Sequence, residues 1–196
     1  MRRYDRRLRV FEAIALRGVV SGYELKNILG ISQGHAQWWL KEHEGIREYG
    51  RERIRRGRVF YGLTMIGFLL ALKSPKVRNN FSSVFEKFLS YQVNKTIDPK
   101  LRESTLQALK SKDVSDRFKE LYLAISDALD QLTDIYSIDE EKVFDLATYL
   151  ANLNEPEKMR QILRDLYPKV PLIQRVADAY RLYSSQLDKI VKGEIE

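Results

Sequence analysis

Cysteine is absent from the 196 residues, and histidine occurs only as His35 and His43. Without a thiol the chain holds no disulfide framework, cysteine nucleophile, iron-sulfur cluster or Cys-rich zinc site. Two imidazoles are too few for a histidine-rich metal centre. Long apolar runs are missing as well. The longest weakly polar stretch, Val59 to Leu72, is 14 residues and includes two glycines and a threonine, whereas a spanning helix needs about 20 apolar residues. The basic start MRRYDRRLRVFEAIALRG has no long apolar region or small-residue cleavage site behind it. Nor is there a glycine-rich phosphate loop, a nucleophile elbow, an H-E-x-x-H pair or a kinase motif set. A cytoplasmic protein with no catalytic residue, metal or cofactor is therefore expected, and an enzyme is the least supported class.

What the chain does have is charge and helical periodicity. Charged residues make up 31% and hydrophobic ones 44%, the first above the ~25% of ordinary globular domains and the second ample for a core. The formal net charge of +7 is unevenly spread: residues 1–78 hold 17 Lys+Arg against 7 Asp+Glu, a net of +10, and residues 79–196 hold 17 against 20, a net of −3. A basic half joined to a mildly acidic one suggests a polyanion-binding module and a second module with a different task.

The basic half is clearly punctuated. Tyr4 to Leu16 carries Leu8, Phe11, Ala15 and Leu16 on one helical face and is stopped by Gly18. Ser21 and Glu24 have the spacing of a capping box, opening a helix with Leu25, Ile28 and Leu29 inward and Gly30 as its stop. Ser32 then caps a third helix, Gln33 to His43, with Ala36, Trp39, Leu40 and His43 on one side and Gln33, His35, Gln37, Trp38 and Lys41 largely on the other. Two short helices joined by a tight turn make a helix-turn-helix layout. Between Gly45 and Leu63 an imperfect polar-apolar alternation flanks an Arg-Arg-Gly turn, the pattern of a hairpin. Thr64 caps a further helix bearing Met65, Phe68, Leu69 and Leu72, and Ser74-Pro75 breaks it.

From Lys76 onward the periodicity is helical throughout. Stripes appear at Phe81, Val84, Phe85, Phe88 and Leu89; at Leu101, Leu106 and Leu109 after Asp98-Pro99; and over a longer helix from Phe118 through Leu132 to Tyr136. Two more follow, at Val143 to Ala151 and at Met159 to Leu166. The last stripe alternates steps of three and four through Ile173, Val176, Tyr180, Tyr183, Leu187 and Ile190, a seam that either packs within the chain or pairs two copies. Asp139-Glu140-Glu141 reads as a helix-start cluster favoured by the macrodipole.

The runs Ser21-Gly22-Tyr23-Glu24-Leu25, Gly30-Ile31-Ser32-Gln33-Gly34 and Tyr61-Gly62-Leu63-Thr64-Met65-Ile66-Gly67 resemble winged helix-turn-helix domains of prokaryotic transcription regulators. They are most similar to the PadR-like group, with MarR-like and ArsR-like domains next. The resemblance spans about residues 5–73, and order and spacing carry it more than any single piece. It departs from the family pattern at His43, commonly an apolar position, and in its longer C-terminal part. It implies a dimeric repressor or activator whose helical C-terminal part dimerises and in some members senses a ligand. The expected architecture is mostly α with a small β-hairpin wing: a winged helix-turn-helix at 1–75 and an all-α helical domain at 76–196.

For duplex DNA, the expected contact residues are Ser32, Gln33, His35, Gln37, Trp38 and Lys41 on the third helix, and Arg51, Arg53, Arg55, Arg56 and Arg58 on the hairpin. Gln37 can bind adenine bidentately, Gln33 and His35 can meet bases or phosphates, and Lys41 suits phosphate. The arginine ribbon can follow a backbone and its tip can enter a narrow minor groove. The ordinary alternatives are solvated helix polarity for the glutamines and a solvated charge run for the arginines. Trp38 and Trp39, about 100° apart on a helix, cannot be buried alike; packing suffices for Trp39. A homodimer paired through Ile173, Val176, Tyr180, Tyr183, Leu187 and Ile190 would set half-site spacing. Partners expected are double-stranded DNA, a second copy, and a small-molecule or protein effector at the C-terminal domain, with no membrane. The competing expectations are a DNA-organising or segregation protein that spreads along DNA and recruits partners, and a winged-helix adaptor for protein or RNA.

Overall fold

A computed structural model of the chain describes residues 3–43, 45–51, 58–91, 98–132, 140–173, 177, 178 and 181. It is mostly helical with one small antiparallel sheet, and it divides into two compact units, Met1–Thr96 and Ile97–Glu196. Among the described residues no helix is long and apolar enough to cross a membrane.

In the first unit the order is α1 (Arg3–Arg17), β1 (Val19–Ser21), α2 (Gly22–Leu29), α3 (Gln33–Glu42), β2 (Ile46–Arg51), β3 (Val59–Leu63), α4 (Met65–Ala71), α5 (Pro75–Asn79) and α6 (Phe81–Ser90). The caps form where the spacing predicts them. The Ser21 amide and hydroxyl both donate to Glu24 Oε2, at 2.7 and 2.8 Å, while the Glu24 amide donates to Ser21 Oγ at 3.3 Å. This reciprocal arrangement satisfies donors that the first turn of a helix leaves unpaired. Gly30 ends α2 in the left-handed region, φ 65°, with its amide donating to the Lys26 carbonyl at 2.9 Å; a side chain there would be strained. Thr64 Oγ1 accepts from the Gly67 amide at 3.3 Å and starts α4.

The sheet runs β1-β3-β2, both pairings antiparallel. β1 was not foreseen. It is three residues long and pairs Val19, Val20 and Ser21 with Gly62, Tyr61 and Phe60, a partner some 40 positions away, so local periodicity carries no signal for it. The β2–β3 hairpin forms as expected, and its register shifts between Glu48 and Gly50, leaving one residue unpaired and bending the ribbon.

The first unit also runs past the expected boundary at residue 75. Pro75 does end the helix before it, but it opens another at once: α5 has proline in its first turn, where its missing N–H is no loss. α6 then packs on α1. Phe81, Phe85 and Phe88 are buried and gather around Phe68, with Phe88 stacked on it at 4.5 Å and Phe85 edge-on at 5.6 Å. Lys87 Nζ donates to the Leu16 carbonyl at 2.6 Å, and Ser74 Oγ donates to Glu12 Oε2 at 2.5 Å. The phenylalanine stripe of α6 belongs to the core made by Val10, Phe11 and Ile14 of α1, Leu25 of α2, Leu40 of α3 and Phe68 and Leu72 of α4.

The second unit comprises α7 (Pro99–Ala108), α8 (Lys112–Ala128), α9 (Glu140–Asn154) and α10 (Pro156–Leu166). Phe118, Leu121, Tyr122 and Ile125 of α8, Val143, Ala147 and Ala151 of α9, and Met159, Ile162 and Leu166 of α10 form its core. An Arg117–Asp165 ion pair at 3.4 Å ties α8 to α10. The helix expected to continue through Leu132 to Tyr136 is shorter: α8 ends at Ala128, a single 3-10 turn covers Leu129–Gln131, and Leu132 is extended. Leu129 still packs inward from that turn, so the apolar stripe outlasts the α-helix. Tyr136 lies outside the described residues.

Candidate nucleic-acid interface

α3 is held by two buried residues, Ala36 and Leu40, which face α2 and β2. Its first turn is fixed by Ser32, whose Oγ accepts from the His35 amide at 3.2 Å. With that face inward, Gln33, His35, Gln37, Trp38 and Lys41 are exposed together, as expected of them. Ser32 is exposed at the cap.

The tryptophan pair divides as its spacing requires. Trp39 is half-buried and stacks on His43 with ring centroids 4.3 Å apart and 12° between planes; His43 in turn meets Phe11 edge-on at 6.2 Å. His43 is thus part of an aromatic column leading to the core. Trp38 stands outside, 46% exposed, edge-on to Trp39 at 5.2 Å.

The start of α2 lies beside α3. A Cβ on Gly22 would come within 3.1 Å of both Gln33 Nε2 and Gln37 Cγ, so the two glutamines border the first turn of α2. The next residue, Tyr23, is 53% exposed, and its ring has two cations within 5.9 Å: Arg58, at the foot of β3, and Lys26, one turn along α2. Sequence reasoning missed Tyr23 and Lys26. The β1–β3 register leads to Tyr23, and Lys26 follows from its place one turn along the same helix.

Arg58 and the exposed face of α3 therefore border the same stretch of α2. Among the described residues, Lys26, Lys41 and Arg58 are paired with no carboxylate, whereas Lys76 is held by Glu12 at 3.2 Å. Cations with no carboxylate partner remain available to an external anion. Arg51 ends β2, with its backbone opposite Val59. Arg53, Arg55 and Arg56 lie outside the described residues.

No known family, curated protein or solved structure matches the chain.

Of the residues expected to pair two copies, Ile173 is buried, as are its neighbours in sequence Val170 and Leu172. Val176, Tyr180, Tyr183, Leu187 and Ile190 lie outside the described residues. Among the described residues no group of three His, Cys, Asp or Glu side chains is arranged to hold a metal ion.

Proposed function

We propose that the first unit is a winged helix-turn-helix of PadR-like type and that the protein is a sequence-specific transcription regulator of double-stranded DNA. The observation that carries this reading is the path of the chain: helix, strand, two helices joined by a short turn, and a hairpin whose second strand pairs centrally in a β1-β3-β2 sheet. That path leaves α3 with one apolar edge inward and a polar, cationic edge outward. A helix of this kind fits the major groove, with Gln33 and Gln37 toward base edges and Lys41 toward phosphate. Lys26 and Arg58 flank it where backbone phosphates would run. The net charge of +10 on residues 1–78 supports the same reading, because phosphate neutralisation supplies most of the sequence-independent affinity for DNA.

In this reading the second unit holds two copies together and receives any effector, and the protein acts as a repressor by occupying a promoter. Selection of bound sequences from a random duplex pool tests it directly. A palindromic consensus is expected, bound with an affinity that falls steeply with salt, by about 0.9 in log-log slope per neutralised phosphate. A flat salt response, or failure to retain any duplex, would overturn it.

A further inference from the structure

Gly34 and Trp38 stand one helical turn apart on the exposed side of α3, and the fold accounts for neither. Gly34 is the second residue of α3, and among the described glycines only Gly18 and Gly30 take a positive φ, so its backbone does not demand glycine. Packing does not demand it either, since a Cβ built there meets no heavy atom within 4 Å. Alanine is intrinsically the better helix former of the two. Such a glycine leaves the backbone open to a close approach from outside the chain.

Trp38 is the complement of that bare turn. Its large apolar surface is 46% exposed, yet the ring is anchored: it packs edge-on to Trp39 at 5.2 Å and 73°, Trp39 stacks on His43, and His43 reaches Phe11, which is buried. An anchored indole gives up little side-chain freedom on binding. Lys41, three residues on and exposed, provides a cation on the same edge.

Resting on the duplex-DNA reading above, this pairing selects one occupant. The main apolar group on base edges in the major groove is the C5-methyl of thymine. A methyl seated on the Trp38 ring brings its base edge over the preceding turn, where any side chain at position 34 would stand in the way. We propose that Gly34 and Trp38 together form a thymine-methyl contact, Trp38 providing the apolar surface and Gly34 the clearance. Trp38 is then a specificity-determining residue, and the bound sequence contains thymine at a defined position in each half-site.

The experiment uses the full-length protein and the duplex recovered from the random pool, with each thymine replaced in turn by deoxyuridine, which keeps the base pair and removes only the methyl. At one thymine per half-site the wild type is expected to lose about fourfold in affinity, the worth of one buried methyl. W38A should bind thymine and uracil duplexes equally, and W38F should keep part of the difference; a purely structural role for Trp38 would not move this ratio. G34A should melt at the same or a higher temperature while binding roughly tenfold more weakly, as expected for one methyl forced into a filled contact. Salt-dependent binding with no thymine-uracil difference, a difference that survives in W38A, or wild-type affinity in G34A would each overturn the proposal while leaving the DNA reading intact. If no duplex is retained, both fall.

Discussion

Replacing Gly67 by alanine tests how the first unit is closed. In an unconstrained helix the change gains about 1 kcal/mol from propensity, so a naive expectation is stabilisation. At Gly67, however, a Cβ would overlap the Gly45 carbonyl oxygen and stand 2.8 Å from the carbonyl carbon and 3.2 Å from the Cα of Gly45. Both partners are backbone, so no side-chain rotation relieves the overlap. Gly45 has little room to retreat, because the Phe11 ring lies within 2.8 Å of where its own Cβ would be. The same Gly45 carbonyl accepts the Thr64 amide at 3.1 Å, fastening the start of α4 to the entry of β2.

Forcing these segments apart costs about 1–3 kcal/mol of packing strain, and the Thr64 hydrogen bond is worth about 1 kcal/mol more. Less the propensity gain, the net loss is about 2 kcal/mol, or about 8–16 °C in Tm for a unit of this size. Both tryptophans of the chain lie in α3, so intrinsic tryptophan fluorescence during heating follows the first unit alone. G34A is the matched control: the same substitution, also inside a helix, with open space around it, and its Tm should stay level or rise. If G67A melts at or above the wild-type temperature, the close approach of α4 to Gly45 is wrong.

Three further outcomes follow from the same structure. S21A removes the hydroxyl half of the capping box, leaving the residue-21 amide to donate to Glu24, and should lower the fluorescence-detected Tm by about 4–8 °C, the equivalent of ~1 kcal/mol; an unchanged melt would mean the hydroxyl cap contributes nothing. F88A should cost about 3–5 kcal/mol in the same assay, and a fragment of residues 1–96 should melt cooperatively where one of 1–75 does not; a stable 1–75 fragment would show α6 to be dispensable. R58A should reduce the salt slope of DNA binding by about 0.9 with little change in sequence preference, whereas Q37A should relax the preference and leave the slope alone. Identical profiles for the two variants would defeat the division between backbone and base contacts.

Much of the first unit was legible because its signals are local. Ser21 with Glu24, Gly30, Ser32 and Thr64 each act within one helical turn, so their spacing in the sequence is their spacing in space. The places where expectation and structure part are those governed by distant partners. β1 exists only through its pairing with β3. The Phe81, Phe85 and Phe88 stripe predicts an amphipathic helix correctly, but periodicity cannot say which core the face enters, and the Phe68 ring decides it. The extended backbone at Leu132 likewise interrupts a stripe that the residues alone continue.

The candidate site shows the same division, and the missed Tyr23 can be recovered by one step of geometry. The polar edge of α3 was legible because Ala36 and Leu40 fix which side faces inward. Tyr23 was not, since nothing near it in the sequence distinguishes an exposed tyrosine from a packed one. In the β1–β3 ladder each pair of numbers sums to 81: Val19 with Gly62, Val20 with Tyr61, Ser21 with Phe60. Carried two positions further, past the end of β1, the same sum sets Tyr23 opposite Arg58, and the guanidinium does lie 5.9 Å from that ring. The ring contact makes the start of β3 and the first turn of α2 neighbours. Arg58 comes to border the first turn of α2 beside a register set by three residue pairs, the polar edge of α3 borders the same turn through Gln33 and Gln37, and no motif scan of either segment alone contains that information.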